Sequence, residues 1–334
     1  MAATRKIDEI DAKILKELLK DGRRKFIEIA KEAKVSEDVI WQHYINMQKE
    51  GIIIGATIQL NYAALGYDVA ASFFVHIPPR QQQQTIEQLR KIPGLYDAYQ
   101  CGSPSILWVV SDFTRTSEIE KTKTAIGKLP SVLKSEAEVW AGLRNLPENL
   151  SVLINGRTSS DPKKKTETQT KTEIEGSAGK ILREIDDVDR QIIEKLTVDG
   201  RASFNAIGKE LGISTSTAIR RYRNLKRNGI LKVLIQVNPA KLGYSTSALF
   251  RLTIGADGNL DSIIEEIAKI PDINSVIKTI GVYDLTLIAK IKNLEHLSTL
   301  ETEIANIKGF KDMAPAALSS FPILPYPREH MSTF

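Results

Sequence analysis

The residues of this chain best suited to chemistry lie between Ser214 and Asn228, in the stretch STSTAIRRYRNLKRN. Five cations, Arg220, Arg221, Arg223, Lys226 and Arg227, stand there with no acid among them. At helical period Ala218, Ile219, Tyr222 and Leu225 share one side, and Thr217, Arg220, Arg223, Asn224 and Arg227 share the other. Such a helix has an apolar back and a cationic front. Cations in a row neutralise phosphates, while polar side chains near the helix start reach base edges in a major groove. Ser214, Thr215, Ser216, Thr217, Arg220, Arg221, Arg223, Asn224 and Arg227 therefore form a candidate surface for reading double-stranded DNA. A helix face that is merely solvated usually mixes charges of both signs, and this one does not.

The elements that must position this surface have their own local signals. Ser214 is a natural N-cap, and Gly229 followed by Ile230 supplies the stop. Upstream, Ser203 to Leu211 reads as a short amphipathic helix, and Gly212 with Ile213 makes the connection, which is helix-turn-helix spacing. The chain has 334 residues, enough for two or more domains. Its net charge of +5 is too diffuse to identify a partner, so the local cluster carries that argument. One cysteine, Cys101, excludes an intrachain disulfide framework and suits a reducing interior. No apolar run reaches the roughly 18 residues of a membrane span, and the opening MAATRKIDEID lacks an apolar signal segment. The expectation is a soluble, cytoplasmic protein.

The chain repeats itself. The segment beginning at Ile7 aligns with the one beginning at Ile185, so that Asp21-Gly22-Arg23 meets Asp199-Gly200-Arg201 and Gly51-Ile52 meets Gly229-Ile230. Leu65-Gly66-Tyr67 then meets Leu242-Gly243-Tyr244, and Ile92-Pro93 meets Ile270-Pro271. Between the copies, RTSSDPKKKTETQTKTEIEGSAGK contains almost nothing apolar and reads as a flexible tether over residues 157–180. Each copy predicts a helix-turn-helix domain, at 7–51 and 181–229. Each domain is followed by a linking strand and a βαββαβ ferredoxin-like domain, at 52–156 and 230–334. The fold class is α+β, with helices on one face of each antiparallel sheet and the other face free to meet a partner.

A helix-turn-helix, a linking strand and a βαββαβ domain together resemble the Lrp/AsnC family, the leucine-responsive or feast/famine regulators. Ile213 to Ile230 looks like that family's recognition helix and its end, and Gly281-Val282-Tyr283-Asp284 looks like its Gly-x-x-Asp effector loop. The resemblance implies a transcription regulator whose C-terminal (RAM-type) domains pair and sense a small molecule, commonly an amino acid. It also implies assembly into homo-oligomers, and a fused tandem copy adds the option of a pseudo-dimer within one chain. Asp284 would accept from a ligand ammonium group, or else simply favour the turn it stands in.

The copies have diverged. A shift of 178 residues sets Gln42, His43, Ile45 and Asn46 where Arg220, Arg221, Arg223 and Asn224 stand, while Tyr44 and Met47 keep the core positions of Tyr222 and Leu225. Ile45, on the outer arc, hints at a protein contact. Lys34 replaces the turn residue Gly212, and Ser105 replaces Asp284. Other chemistry is thin: His43, His76, His296 and His330 are scattered, and neither a phosphate-binding glycine loop nor a nucleophile elbow occurs. No metal, cofactor or catalytic residue is expected. Two alternatives to a DNA-binding regulator stay open. One is an enzyme similar to the siroheme decarboxylases, which look like this family in fold and would use residues such as His76 and Arg251. The other is an assembly partner that binds no DNA itself.

Overall fold

A computed structural model describes residues 6–61, 63–67, 69–154 and 185–318. The expected tether at 157–180, the first residues of the second unit and residues 319–334 lie outside the described residues. The first unit opens with α1 (Glu9–Lys20), α2 (Phe26–Ala33) and α3 (Glu37–Lys49), then β1 (Ile53–Leu60). Its sheet domain is β2 (Val69–His76), α4 (Gln82–Leu89), β3 (Leu95–Cys101), β4 (Ser103–Phe113), α5 (Thr116–Gly127) and β5 (Lys134–Asn145). The second unit repeats the order: α6 (Asp187–Val198), α7 (Phe204–Leu211), α8 (Thr215–Arg227) and β6 (Leu231–Val237) come first. Then follow β7 (Thr246–Ile254), α9 (Leu260–Ile267), β8 (Ile273–Ile280), β9 (Leu285–Ile291), α10 (Leu294–Ala305) and β10 (Phe310–Leu318).

The helix starts follow the capping residues. Asp8 and Asp11 form a reciprocal capping box on α1, and Asp186, Ser203 and Ser214 cap α6, α7 and α8 by accepting from the third backbone N–H.

The two sheets do not leave a free face. All eight sheet-domain strands close into one barrel in the order β10-β3-β4-β2-β5-β8-β9-β7, so each sheet covers the other. The seam between β5 and β8 runs from Val139↔Ile280 to Asn145↔Ser275, and among the described residues the seam between β10 and β3 is the single pair Leu318↔Cys101. The helices lie outside, packing on Phe73, Val75, Leu107 and Val109 in one half and on Phe250, Leu252, Leu285 and Leu287 in the other. Phe74, Trp108 and Leu249 meet inside with Cys101 and Leu318. The partner face expected for each sheet is thus supplied by the other copy in the same chain.

The linking strands are exchanged as well. β1 and β6 form an antiparallel ladder from Ile53↔Val237 to Leu60↔Leu231. As a result the α1–α3 head packs on Ile235, Val237, Leu242 and Tyr244 of the second copy, and the α6–α8 head packs on Ile58, Leu60 and Leu65 of the first. Each large apolar side chain buried in these crossed cores contributes about 1.5–3 kcal/mol, so the other copy adds to the stability of each head.

The Asp-Gly-Arg turns explain their repetition here. Gly22 N–H donates to Val233 O at 2.7 Å and Gly200 N–H donates to Ala56 O at 2.8 Å. A Cβ on Gly22 would lie 2.8 Å from the backbone of Leu234, and one on Gly200 would lie 2.8 Å from that of Thr57. Only glycine lets each turn press on the opposite linking strand.

Candidate nucleic-acid interface

α8 is held from behind and from both ends. Ala218, Tyr222 and Leu225 are buried against Ile192, Leu196 and Ile207 of its own head and Ile58 of the first copy. Ser214 Oγ accepts from Thr217 N–H at 3.1 Å and lies 2.9 Å from both Ser216 Oγ and Thr217 Oγ1. At the far end Asn228 N–H donates to Asn224 O, and Gly229 takes a left-handed φ of 65°, a C-terminal stop that a side chain would strain. The α7–α8 turn is close enough that a Cβ on Gly208 would meet Ile213 O at 2.8 Å.

The outward side then carries the expected groups with one exception. Ser214, Thr215, Ser216, Arg220, Arg223 and Arg227 are exposed, and Thr217 and Asn224 are half-buried. Among the described residues Arg220 and Arg223 have no hydrogen-bond or ion-pair partner, and Arg227 donates to Asn224 Oδ1 at 3.1 Å. Lys226 pairs with Asp21 of the first copy at 2.7 Å. Arg221 is the correction. Its guanidinium turns back to Asp186 at 2.7 Å and to the buried Asp189 at 3.0 Å, pinning α8 to the start of α6. Nη1 donating to both carboxylates takes the side chain out of the group open to phosphate.

The first head keeps the same frame with a different face. α3 exposes Glu37, Asp38, Trp41 and Gln42, and Gln42 Nε2 donates to Asn46 Oδ1 at 3.1 Å. Ile45, expected on the outer arc, is half-buried against the head's core. The exposed apolar residue there is Trp41, 52% accessible, with Phe26 at 5.7 Å and Tyr44 at 6.3 Å between ring centroids. His43 is not isolated: its Nδ1 lies 2.8 Å from Asp11 and 3.7 Å from Asp8, the counterparts of the two carboxylates that hold Arg221 in the second copy. Their ligand atoms lie within 4.8 Å of one another.

The Gly281–Asp284 turn joins β8 to β9. Asp284 N–H donates to Leu252 O at 2.8 Å, its Oδ2 accepts from Ile254 N–H at 2.7 Å, and its carbonyl accepts from Thr279 N–H. One carboxylate oxygen is therefore used to tie the hairpin to β7. Val282 is 78% accessible, and the Tyr283 ring lies 4.5 Å from the Arg251 guanidinium. In the first copy Ser105 accepts from Ile77 N–H at its carbonyl, and its own N–H donates to Ser103 Oγ.

Inside the barrel Arg251 has company that spacing alone does not reveal. It stacks on Phe74 at 4.2 Å and pairs with the buried Glu138 at 3.7 Å. Burial pushes the Glu138 carboxyl up, with Arg251 opposing, and pushes the Cys101 thiol up to about 11, far from a reactive thiolate. Lys290, fully buried, donates to Ser247 Oγ at 2.8 Å, and burial lowers it to about 7. The one signal that could have located it was a lysine inside the apolar run LTLIAKI.

The AsnC-type helix-turn-helix domain matches residues 7–43 and 185–226, and the Lrp/AsnC ligand binding domain matches residues 247–314. The HTH-type transcriptional regulator FL11 of Pyrococcus furiosus is 32% identical over 126 residues, covering 37% of this chain and 83% of its own. Ptr1 of Methanocaldococcus jannaschii, also an HTH-type transcriptional regulator, is 30% identical over 132 residues, covering 38% and 88%. Both relatives are about as long as a single copy. In three dimensions the crystal structure of the siroheme decarboxylase NirDL matches with a TM-score of 0.60 over 94% of this chain and 91% of that one, at 16% identity, a likeness of fold.

Proposed function

Because the chain belongs to the Lrp/AsnC family of regulators, we propose that it is a sequence-specific DNA-binding transcription regulator whose second helix-turn-helix is the DNA reader. The observation that carries this is the pair Arg220 and Arg223, exposed and unpaired among the described residues, on a capped helix that contains no acid. Thr217 and Arg220, near the helix start, meet base edges, and Arg223 and Arg227 meet phosphates. One chain carries one such helix, so a palindromic operator is covered by two chains, which makes the working form a homo-oligomer in the cytoplasm.

The test is a mobility shift on fragments selected from genomic DNA. Arg220→Ala should weaken binding and alter base preference at one position by about 1–3 kcal/mol. Wild-type affinity and preference in that variant would remove α8 from the groove. The ligand binding domain supports a second part of the proposal, that an amino acid is sensed at the Gly281–Asp284 turn. Asp284 has Oδ1 to offer an ammonium group while Oδ2 stays on Ile254. Calorimetry across the common amino acids should give a heat that Asp284→Ala abolishes, and silence from all of them leaves the residue as a turn anchor.

The whole-chain likeness to NirDL favours one competing reading, an enzyme acting on a tetrapyrrole inside the barrel. Against it, the guanidinium available to a ligand carboxylate there, Arg251, is already paired with Glu138, and Cys101 is held as the neutral thiol. We read the protein as a non-enzyme without a cofactor. A Soret shift on adding siroheme to the purified protein, with loss of a carboxylate from the product, would overturn that reading.

A further inference from the structure

We propose that the first head is not a spare DNA reader but a clamp that sets the pose of α8, with Arg23 as the positioning residue. The proposal rests on the reading of α8 as the helix that meets DNA. Arg23 leaves its own Asp-Gly-Arg turn and enters the second head, where Nε donates to Gly200 O at 2.7 Å and Nη2 donates to Ala202 O at 2.6 Å. Its guanidinium lies over Phe204 at 4.3 Å and reaches Tyr222 at 5.3 Å, and those two rings pack at 5.0 Å. Tyr222 sits on the buried side of α8 between Arg220 and Arg223, so whatever fixes the ring fixes the direction in which both cations project. The turn itself cannot drift, because Gly22 is wedged on the backbone of Leu234 and bonded to Val233.

A second contact from the same turn acts on charge. Asp21 pairs with Lys226, the cation of α8 that the first head keeps from phosphate. The planar fork is what the site requires, since two carbonyls and two rings are engaged at once, and a compact ammonium group cannot meet both pairs from one position.

The molecule contains its own control. Arg201, from the equivalent turn of the second copy, lies over Phe26 at 4.8 Å and Tyr44 at 5.2 Å, the matching rings of the first head. That stack steadies α3, a helix with Gln42 and Ile45 where α8 has Arg220 and Arg223. A general loss of packing follows from either deletion, whereas a loss of DNA binding follows only from one.

The experiment uses the full chain and a duplex recovered by selection from a random pool, measured by fluorescence anisotropy beside urea unfolding. Arg23→Ala and Arg23→Lys should each weaken binding by about tenfold, because the pose is lost whether or not the charge remains. Arg201→Ala should stay within about twofold of wild type although it loses its own stack. Asp21→Asn, a change at a solvent-exposed pair, should bind more tightly and steepen the salt dependence by about one unit as Lys226 is released to phosphate. Equal losses from Arg23→Ala and Arg201→Ala, or wild-type binding by Arg23→Lys, overturn the clamp while leaving α8 as the reader. If Arg220→Ala in the same series binds like wild type, the reading of α8 itself fails and the clamp falls with it.

Discussion

In the second head two aspartates at the start of α6 hold a guanidinium, Arg221, and in the first head the same two positions hold an imidazole, His43. Tyr222 and Leu225 have Tyr44 and Met47 as buried counterparts, and the turn glycine Gly212 has Lys34, which adopts the same left-handed backbone at φ 57°. The inward residues were kept or exchanged for others that do the same job. The outward positions were not: exposed Arg220 is matched by exposed Gln42, and exposed Arg223 by the half-buried Ile45. The first head lacks the exposed cations of α8 while keeping the buried residues of a structural partner, and residues of the first copy complete the core of the second head.

The two barrel halves offer the sharpest way to test how far the copies differ. Lys290 pairs in register with Ser247, and the equivalent pair in the first half is Asp112 with Ala70. Lys290 is lowered from an ordinary 10.5 to about 7 in the folded chain, so the unfolded chain binds the proton more tightly. Stability should therefore rise with pH between about 7 and 10.5, with a penalty near neutral pH on the order of 4 kcal/mol. Urea unfolding of wild type and Lys290→Met across that window should show a pH-dependent gap that closes toward pH 10.5. A constant gap would mean the lysine is charged and compensated.

Next in size is the paired wedge. Gly22→Val and Gly200→Val each place a side chain against a linking strand, and each should cost about 3 kcal/mol by chemical denaturation. A large loss at one turn only would break the structural equivalence of the heads. The outward faces should then respond unequally. Arg223→Ala should cost about 1 kcal/mol in DNA affinity and flatten the salt slope by about one, while Gln42→Ala leaves both unchanged. Equal costs would restore the first head as a reader. The smallest effect concerns Lys34, where a Cβ stands in the left-handed region: Lys34→Gly should stabilise the chain by about 0.5 kcal/mol, read as a small rise in melting temperature.

The order of elements was legible in the sequence because its signals are local. Ser214, Asp186 and Asn259 cap helices where their side chains meet the next turn, and strands such as Thr246–Ile254 carry their own alternation. What escaped was set by distance along the chain. A helical projection puts Arg221 near the cationic front, but a long side chain follows the nearest carboxylates, and those belong to a helix 32 and 35 residues upstream. Arg23 looked like one letter of a repeated motif until its partners proved to lie 177 and 179 residues away. Trp41 aligns with the half-buried Ile219, yet its ring is 52% exposed, a difference that only the packed head reveals. Closure of the barrel likewise depends on which sheet meets which, a matter of assembly rather than of local pattern.

The exchange of linking strands within one chain also governs who can associate with whom. Two separate subunits joined by a β1–β6 type ladder would exchange partners at a rate set by dissociation, and a mutation on one recognition helix would appear on both. Covalent fusion holds the two halves at an effective concentration on the order of millimolar, which an identical free subunit at cellular abundance does not match. The pairing is thus insulated from dilution and from mixing with single-copy relatives. That insulation is what allows one head to give up its cations without a second, unmodified copy taking its place.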